Sequence, residues 1–362
     1  MVPDAIDLQS LSRVLVVKLR HHGDVLLTSP LFNVLKARAP HLEIDALVYA
    51  DTEEMLSEHP AIHTLHTIGR RWKTEGWIAY LRHEARLLQA LRARRYDLLV
   101  HLTEHPRGSW LARALGTRYA VTRDWSPRRG RLWHAAFTHR YRIPEKPRHT
   151  VEVHLDALRR IGIQPSEEER RLVLVPGREA ESNVDEILRT QQALAGEPFV
   201  LMHPTSRWMF KSWRPDAFRE LIERLQADGH RIVLTASPDE RERAFVREIT
   251  IGLRTPVVDL SGQLTLKTLA AIIGRARLFV GMDSVPMHIA AAMQTPVVAL
   301  FGPSGEHEWG PWRVPHRVVT SPDFPCRPCG LDGCGQGKVS ECLTTIRAAT
   351  VYEACRALLA AS

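Results

Sequence analysis

The sequence predicts an α/β protein built of two doubly wound, parallel-sheet domains that face a cleft, and three observations predict it. Short all-apolar runs ending at glycine, LFVG at 278–281 and TPVVALFG at 295–302, have the length and composition of strands covered on both faces. Such runs alternate with helix-length segments along the whole chain, which is the pattern of parallel sheets wound on both sides. The 362 residues exceed what one hydrophobic core usually supports, so two domains are expected.

Taken in order, strands are expected near 13–18, 42–49, 97–102 and 118–122, with helices near 26–38, 77–94 and 108–115 between them. A basic segment and a helix near 150–162 follow. The charged SEEERR stretch at Ser166–Arg171 and the VPG turn at Val175–Gly177 interrupt the pattern, placing a boundary near Pro176. The domains are therefore 1–175 and 176–345. In the second, strands near 198–203, 231–236, 257–260, 278–282 and 296–301 alternate with helices near 182–194, 215–228, 239–251, 265–274 and 285–293. Residues 346–362 hold a last helix.

Three strand-to-helix junctions carry polar chemistry. After the strand Val14–Lys18, Gly23 lets the backbone approach a ligand and Asp24 stands where the helix starts. A carboxylate there also suits the helix electrostatically. No GxGxxG follows, which argues against a nicotinamide-type dinucleotide. After Phe199–His203 come Thr205, Ser206 and Lys211: hydroxyls and a mobile cation, as diphosphate oxygens require. After 278–281, Asp283 and Ser284 precede a helix whose free N–H groups suit a phosphate or a sugar hydroxyl. An open α/β sheet binds at the carboxyl ends of its strands, so the site is expected in the cleft between the domains.

Composition excludes several classes. Hydrophobic residues at 44% and charged residues at 25% describe an ordinary globular protein. Apolar runs are strand-length and Met1–Ser12 has no apolar core, so neither a membrane span nor a signal peptide is expected, and the protein should be cytoplasmic. A net charge of +8 points to a polyanionic partner or an anionic surface. No helix-turn-helix, zinc-finger or RNP-type motif supports nucleic acid. The basic excess is dense from Arg123 to Arg148, including Arg128 and Arg129, interleaved with Trp125, Trp133 and Tyr141; it suits an anionic glycan or is a solvated loop. The helix region 70–95, with Arg70, Arg71 and Lys73, could face an anionic membrane leaflet. Cys326, Cys329, Cys334 and Cys342 crowd one Gly- and Pro-rich loop. Zinc, disulfides and free thiols all remain open there, and a reducing cytosol favours thiols.

The motifs HHGDVLLTSP, HPTSRWMFKSW and GMDSVPMHIAAAMQTPVVALFGPS, in this order, resemble the ADP-heptose:lipopolysaccharide heptosyltransferases of Gram-negative bacteria over nearly the whole chain. VVKLRHHGDVLLTSPLF, YADT at Tyr49–Thr52 and YDLLVHLTEHPRG at Tyr96–Gly108 are most similar to the heptosyltransferase III branch. The resemblance implies a GT-B fold of two Rossmann-like domains, with the last helix crossing back to the first. It implies an inverting glycosyltransferase that moves L-glycero-D-manno-heptose from ADP-heptose to the lipid A-linked core oligosaccharide, as the third heptose onto heptose II. A type I or II step, or another nucleotide sugar, is the alternative. Neither metal nor cofactor is implied, since no DxD-like pair stands out. Contact with the inner membrane would be transient.

A sugar hydroxyl is a poor nucleophile at neutral pH, so a carboxylate must take its proton. Asp24 is the candidate, and the resemblance gives the aspartate of the GDV motif that role; His21 and His22 are rivals or acceptor contacts. Lys211 with Thr205 and Ser206 would hold the leaving diphosphate. Asp283, Ser284, Val285 and His288 would contact the donor, and Asp239 and Leu264 match, by resemblance, positions near the adenosine. Arg123, Arg128 and Arg129 are expected on the acceptor.

Overall fold

The computed structural model describes residues 3–103, 105–124, 130–191 and 197–361. The chain divides into two compact units, Met1–Val175 and Pro176–Ser362.

The first unit carries strands β1 (Arg13–Val17), β2 (Glu43–Tyr49), β3 (Thr64–Ile68), β4 (Leu98–His101), β5 (Tyr119–Arg123) and β6 (His139–Tyr141). Its helices are α1 (His22–Leu26), α2 (Ser29–Arg38), α3 (Trp77–Arg94), α4 (Arg107–Leu115), α5 (Arg131–His134) and α6 (Thr150–Arg160). All pairings are parallel and the spatial order is β3-β2-β1-β4-β5-β6. Val14 to Val17 are almost wholly inaccessible because both sheet faces are covered. On one face Leu15, Val17 and Leu99 pack with Leu87, Leu91, Leu111, Ala112 and Trp133 from α3, α4 and α5, and with Phe137 just after α5.

The second unit repeats the plan with β7 (Phe199–His203), β8 (Arg231–Leu234), β9 (Val258–Asp259), β10 (Leu278–Met282), β11 (Val297–Leu300) and β12 (His316–Val319). Its helices are α7 (Arg178–Thr190), α8 (Pro215–Ala227), α9 (Glu240–Thr250), α10 (Leu266–Arg275), α11 (Val285–Ala292), α12 (Glu306–Trp309), α13 (Glu341–Thr344) and α14 (Ala348–Leu359). The order β12-β11-β10-β7-β8-β9 is that of the first unit read from the other edge. Both sheets thus reverse direction of winding beside their first strand, between β1 and β4 and between β7 and β10. A crevice opens at such a point, since the flanking connections leave in opposite directions.

Local expectations change at one helix and at three strands. The helix expected over 26–38 is two helices, because Pro30 near the start of α2 lacks the N–H that would continue the first, and Thr28 Oγ1 turns back to Val25 O at 2.6 Å. Strands β3, β6 and β12 were not expected. Each lies at a sheet edge and is polar in composition or only partly buried, and so lacks the apolar run that marks a central strand. The last helix has Val351, Cys355, Leu358 and Leu359 in the core of the second unit with Phe218 and Leu221 of α8. Trp213 Nε1 donates to Ile346 O at 3.0 Å and fixes its approach.

Candidate active site

At the β1/β4 switch point the chain leaves β1 through Lys18 and a polar turn into α1, whose first turn carries Asp24. Lys18 is 7% exposed. Its Nζ donates to Leu102 O at 3.2 Å, just beyond β4, lies 3.0 Å from His154 Nε2 on α6, and stands 3.6 Å from Asp24 Oδ1. Leu102 O and His154 Nε2 accept hydrogen bonds from the ammonium, and Asp24 is its counter-charge. His154 Nδ1 is 3.1 Å from Leu27 O, so that nitrogen carries the proton and Nε2 offers its lone pair to Lys18. Burial, reinforced by the lysine charge, holds the ring neutral far below the usual histidine range. The Asp24 side chain keeps about a fifth of its surface exposed.

His21 caps the N-terminus of α1 by position without a side-chain bond to it, and His22 begins the helix half-buried, its proton affinity lowered by burial. Arg123 ends β5. Arg128 and Arg129, with Trp125, lie outside the described residues. Much of the basic segment is engaged within the unit. Arg140 donates to His134 O and Phe137 O, Arg142 pairs with Asp124, and Arg148 pairs with Glu152 and Asp156.

At the β7/β10 switch point, Lys211 and Asp283 meet although 72 residues separate them: Nζ to Oδ2 is 2.6 Å, with both side chains mostly buried. Lys211 Nζ also lies 5.2 Å from the centre of the Trp208 ring. A groove of about 210 Å³ opens beside Lys211, lined by Trp208, Phe210, Ser304 and Gly330 among others. Ser206 is buried and its Oγ accepts from Trp208 N at 3.4 Å. Thr205 is fully buried, and its hydroxyl donates to Glu242 Oε2 at 2.6 Å, so its proton faces the protein. The other Glu242 oxygen accepts from Ser237 Oγ at 2.5 Å. His203, at the end of β7, contacts Thr235 Oγ1 at 3.0 Å, and burial lowers its pKa to about 4.

Ser284 caps α11 by position but its hydroxyl turns back toward Met282 O at 3.4 Å, leaving the first-turn N–H groups uncapped by a side chain. Val285 starts the helix half-exposed and His288 is buried one turn along. Asp239 is the N-cap of α9, bound to its N–H at 2.9 Å and gripped by the Arg241 guanidinium, which holds its pKa at about 2. Leu264, half-buried, follows β9 just ahead of α10. Both stand beyond the carboxyl ends of their strands on the β8–β9 side of the second sheet.

Lys18, His154 and Glu242 escaped the sequence reading. A lysine closing the buried run VLVVK just before an aspartate-bearing turn was a signal for the first. His154 and Glu242 sit in ordinary helical patterns and gave none. The four loop cysteines are unbridged; Cys326, Cys329 and Cys334 are exposed, while burial raises the Cys342 thiol to about 11. No cluster of metal-ligating groups occurs among the described residues. No helix there is long and apolar enough to cross a membrane.

Residues 84–339 match glycosyltransferase family 9 (heptosyltransferase). The chain is 37% identical over 298 residues to lipopolysaccharide heptosyltransferase 3 of Escherichia coli, covering 81% of this chain and 84% of that protein. It is 29% identical over 322 residues to lipopolysaccharide heptosyltransferase 1 of Pseudomonas aeruginosa, covering 88% and 86%. Among solved structures, a family 9 glycosyl transferase from Veillonella parvula superposes with a TM-score of 0.84 at 22% identity, covering 99% of this chain and 100% of that one.

Proposed function

We propose, since the chain belongs to glycosyltransferase family 9 (heptosyltransferase), that it is a GT-B glycosyltransferase adding a heptose from ADP-heptose to the lipopolysaccharide core. The third heptose, placed on heptose II, is the step we assign. The observation that carries this assignment is the 37% identity to lipopolysaccharide heptosyltransferase 3 across 81% of the chain.

The first unit serves the acceptor. Asp24 takes the proton of the attacking hydroxyl as the glycosidic bond forms. Lys18, anchored by Leu102 O and the neutral His154, holds one Asp24 oxygen, so the carboxylate is oriented before the acceptor arrives. The second unit serves the donor. Lys211 exchanges Asp283 for the diphosphate, whose charge grows as the anomeric bond breaks, and the N–H groups at the start of α11 assist. Asp283, released, is free to accept from a donor hydroxyl. Glu242 locks Thr205 and Ser237 and so shapes the loop beneath the nucleotide. A single displacement inverts the anomeric centre and calls on no metal. Because the acceptor is lipid-anchored, the enzyme works at the cytosolic face of the inner membrane.

The test is ADP release by the purified protein with ADP-L-glycero-β-D-manno-heptose and core acceptors truncated after zero, one or two heptoses. A one-heptose mass gain confined to the two-heptose acceptor is expected. Gain on a shorter acceptor reassigns the step to type I or II, and no transfer with this donor overturns the reading.

A further inference from the structure

Among the described residues of the first unit, five large apolar side chains stand in solvent: Trp77 (74% exposed), Ile78 (57%) and Leu81 (55%) on the first turns of α3, Trp110 (47%) on α4, and Leu132 (71%) on α5. They belong to one surface. The inner sides of these three helices share a single core, Leu87 and Leu91 with Leu111, Ala112 and Trp133. The helices are also tied edge to edge, Arg92 Nε donating to Ala114 O and Arg113 to Leu132 O. Exposed among the apolar groups are Arg82, Arg86, Arg113 and Arg131, none of which makes an ion pair among the described residues. The three helices contain one carboxylate, Glu84, and Arg107 occupies it. The outer face of α3–α5 therefore combines tryptophan and aliphatic tips with arginines that have no opposing acid.

We propose that the α3–α4–α5 face docks the protein on an anionic phospholipid bilayer. Trp77, Ile78 and Leu81 enter the headgroup boundary, where tryptophan is favoured, while Arg82 and Arg86 meet lipid phosphates. A second copy of the chain is a poorer occupant, because a self-complementary contact would set these unopposed arginines against one another. The inference deepens the reading of a lipid-anchored acceptor by naming the surface and the lipid chemistry, and its vesicle-binding readout needs neither acceptor nor donor.

The experiment is co-sedimentation of the full chain with vesicles of phosphatidylglycerol and phosphatidylethanolamine, against vesicles of phosphatidylcholine alone. Binding to the anionic vesicles that weakens with salt is expected. The triple variant Trp77→Ser, Ile78→Ser, Leu81→Ser should lose at least about tenfold in partitioning, and Arg82→Gln with Arg86→Gln should abolish the preference for anionic lipid. All five sites are exposed, so both variants should keep the wild-type unfolding temperature and wild-type transfer to a detergent-dispersed acceptor. Equal binding to both vesicle types, or a triple variant that sediments like wild type, overturns the proposal. So does a wild-type dimer that the triple variant dissolves, which would give the face to a second copy. Failure of heptose transfer with vesicle binding intact would instead count against the enzymatic reading alone.

Discussion

Asp24 and Lys211 carry separable duties because each stands at its own switch point with its own partner. Asp24→Asn keeps the shape of the turn and the contact with Lys18 but removes the base. Transfer should fall about a thousandfold while ADP binds as in wild type. Calorimetric titration with ADP, beside the transfer assay, checks both halves, and weakened ADP binding would contradict the assignment. Lys18→Met leaves the carboxylate unanchored and should lower kcat at least about tenfold, again without touching ADP affinity. Lys211→Ala should do the reverse, raising the Kd for ADP by about ten- to a hundredfold, since a buried charge-assisted contact is lost. Unchanged ADP affinity would remove Lys211 from the diphosphate.

Elements place these residues, and their packing is tight where α4 crosses β4. Gly108, in the first turn of α4, lies directly on the ring of the fully buried His101, which has no room to retreat between Trp133 and Phe137. A methyl group at 108 would overlap that ring. Gly108→Ala should therefore cost about 1–3 kcal/mol, despite the gain in helix propensity, and thermal unfolding will read the loss. A variant as stable as wild type would mean that α4 shifts freely on the sheet. Elements also show which parts of the fold could be read in advance. Central strands such as Val14–Val17 and Val297–Leu300 are apolar throughout because both faces are covered. Edge strands such as β3 and β12 are mostly half-buried or exposed and looked like loops.

Across the whole molecule, buried neutral histidines make stability depend on pH. Burial lowers His101 to about 3 and His203 to about 4, one in each unit, and holds His154 well down as well. Below pH 6.5 the unfolded chain takes up protons that the folded chain refuses, so the unfolded state is favoured. Stability is complete above about pH 6.5 and declines as pH falls toward the folded values, at up to about 1.4 kcal/mol per pH unit for each such histidine. The unfolding temperature should accordingly drop between pH 7.5 and pH 5, before most carboxylates titrate. A flat profile over that interval would mean that the rings are hydrated.

The sequence by itself determined the two passes of alternating strand and helix, and it located the polar junctions after Val17, His203 and Met282, because covered strands must be apolar and ligand-binding turns cannot be. Which polar groups meet was decided only by the tertiary structure. Parallel pairing sets β1 beside β4 and β7 beside β10, so Lys18 reaches Leu102 O across 84 residues and His154 across 136, and Lys211 reaches Asp283 across 72. Local pattern holds no record of those separations, since strand order is fixed by long crossovers rather than by neighbours in the chain.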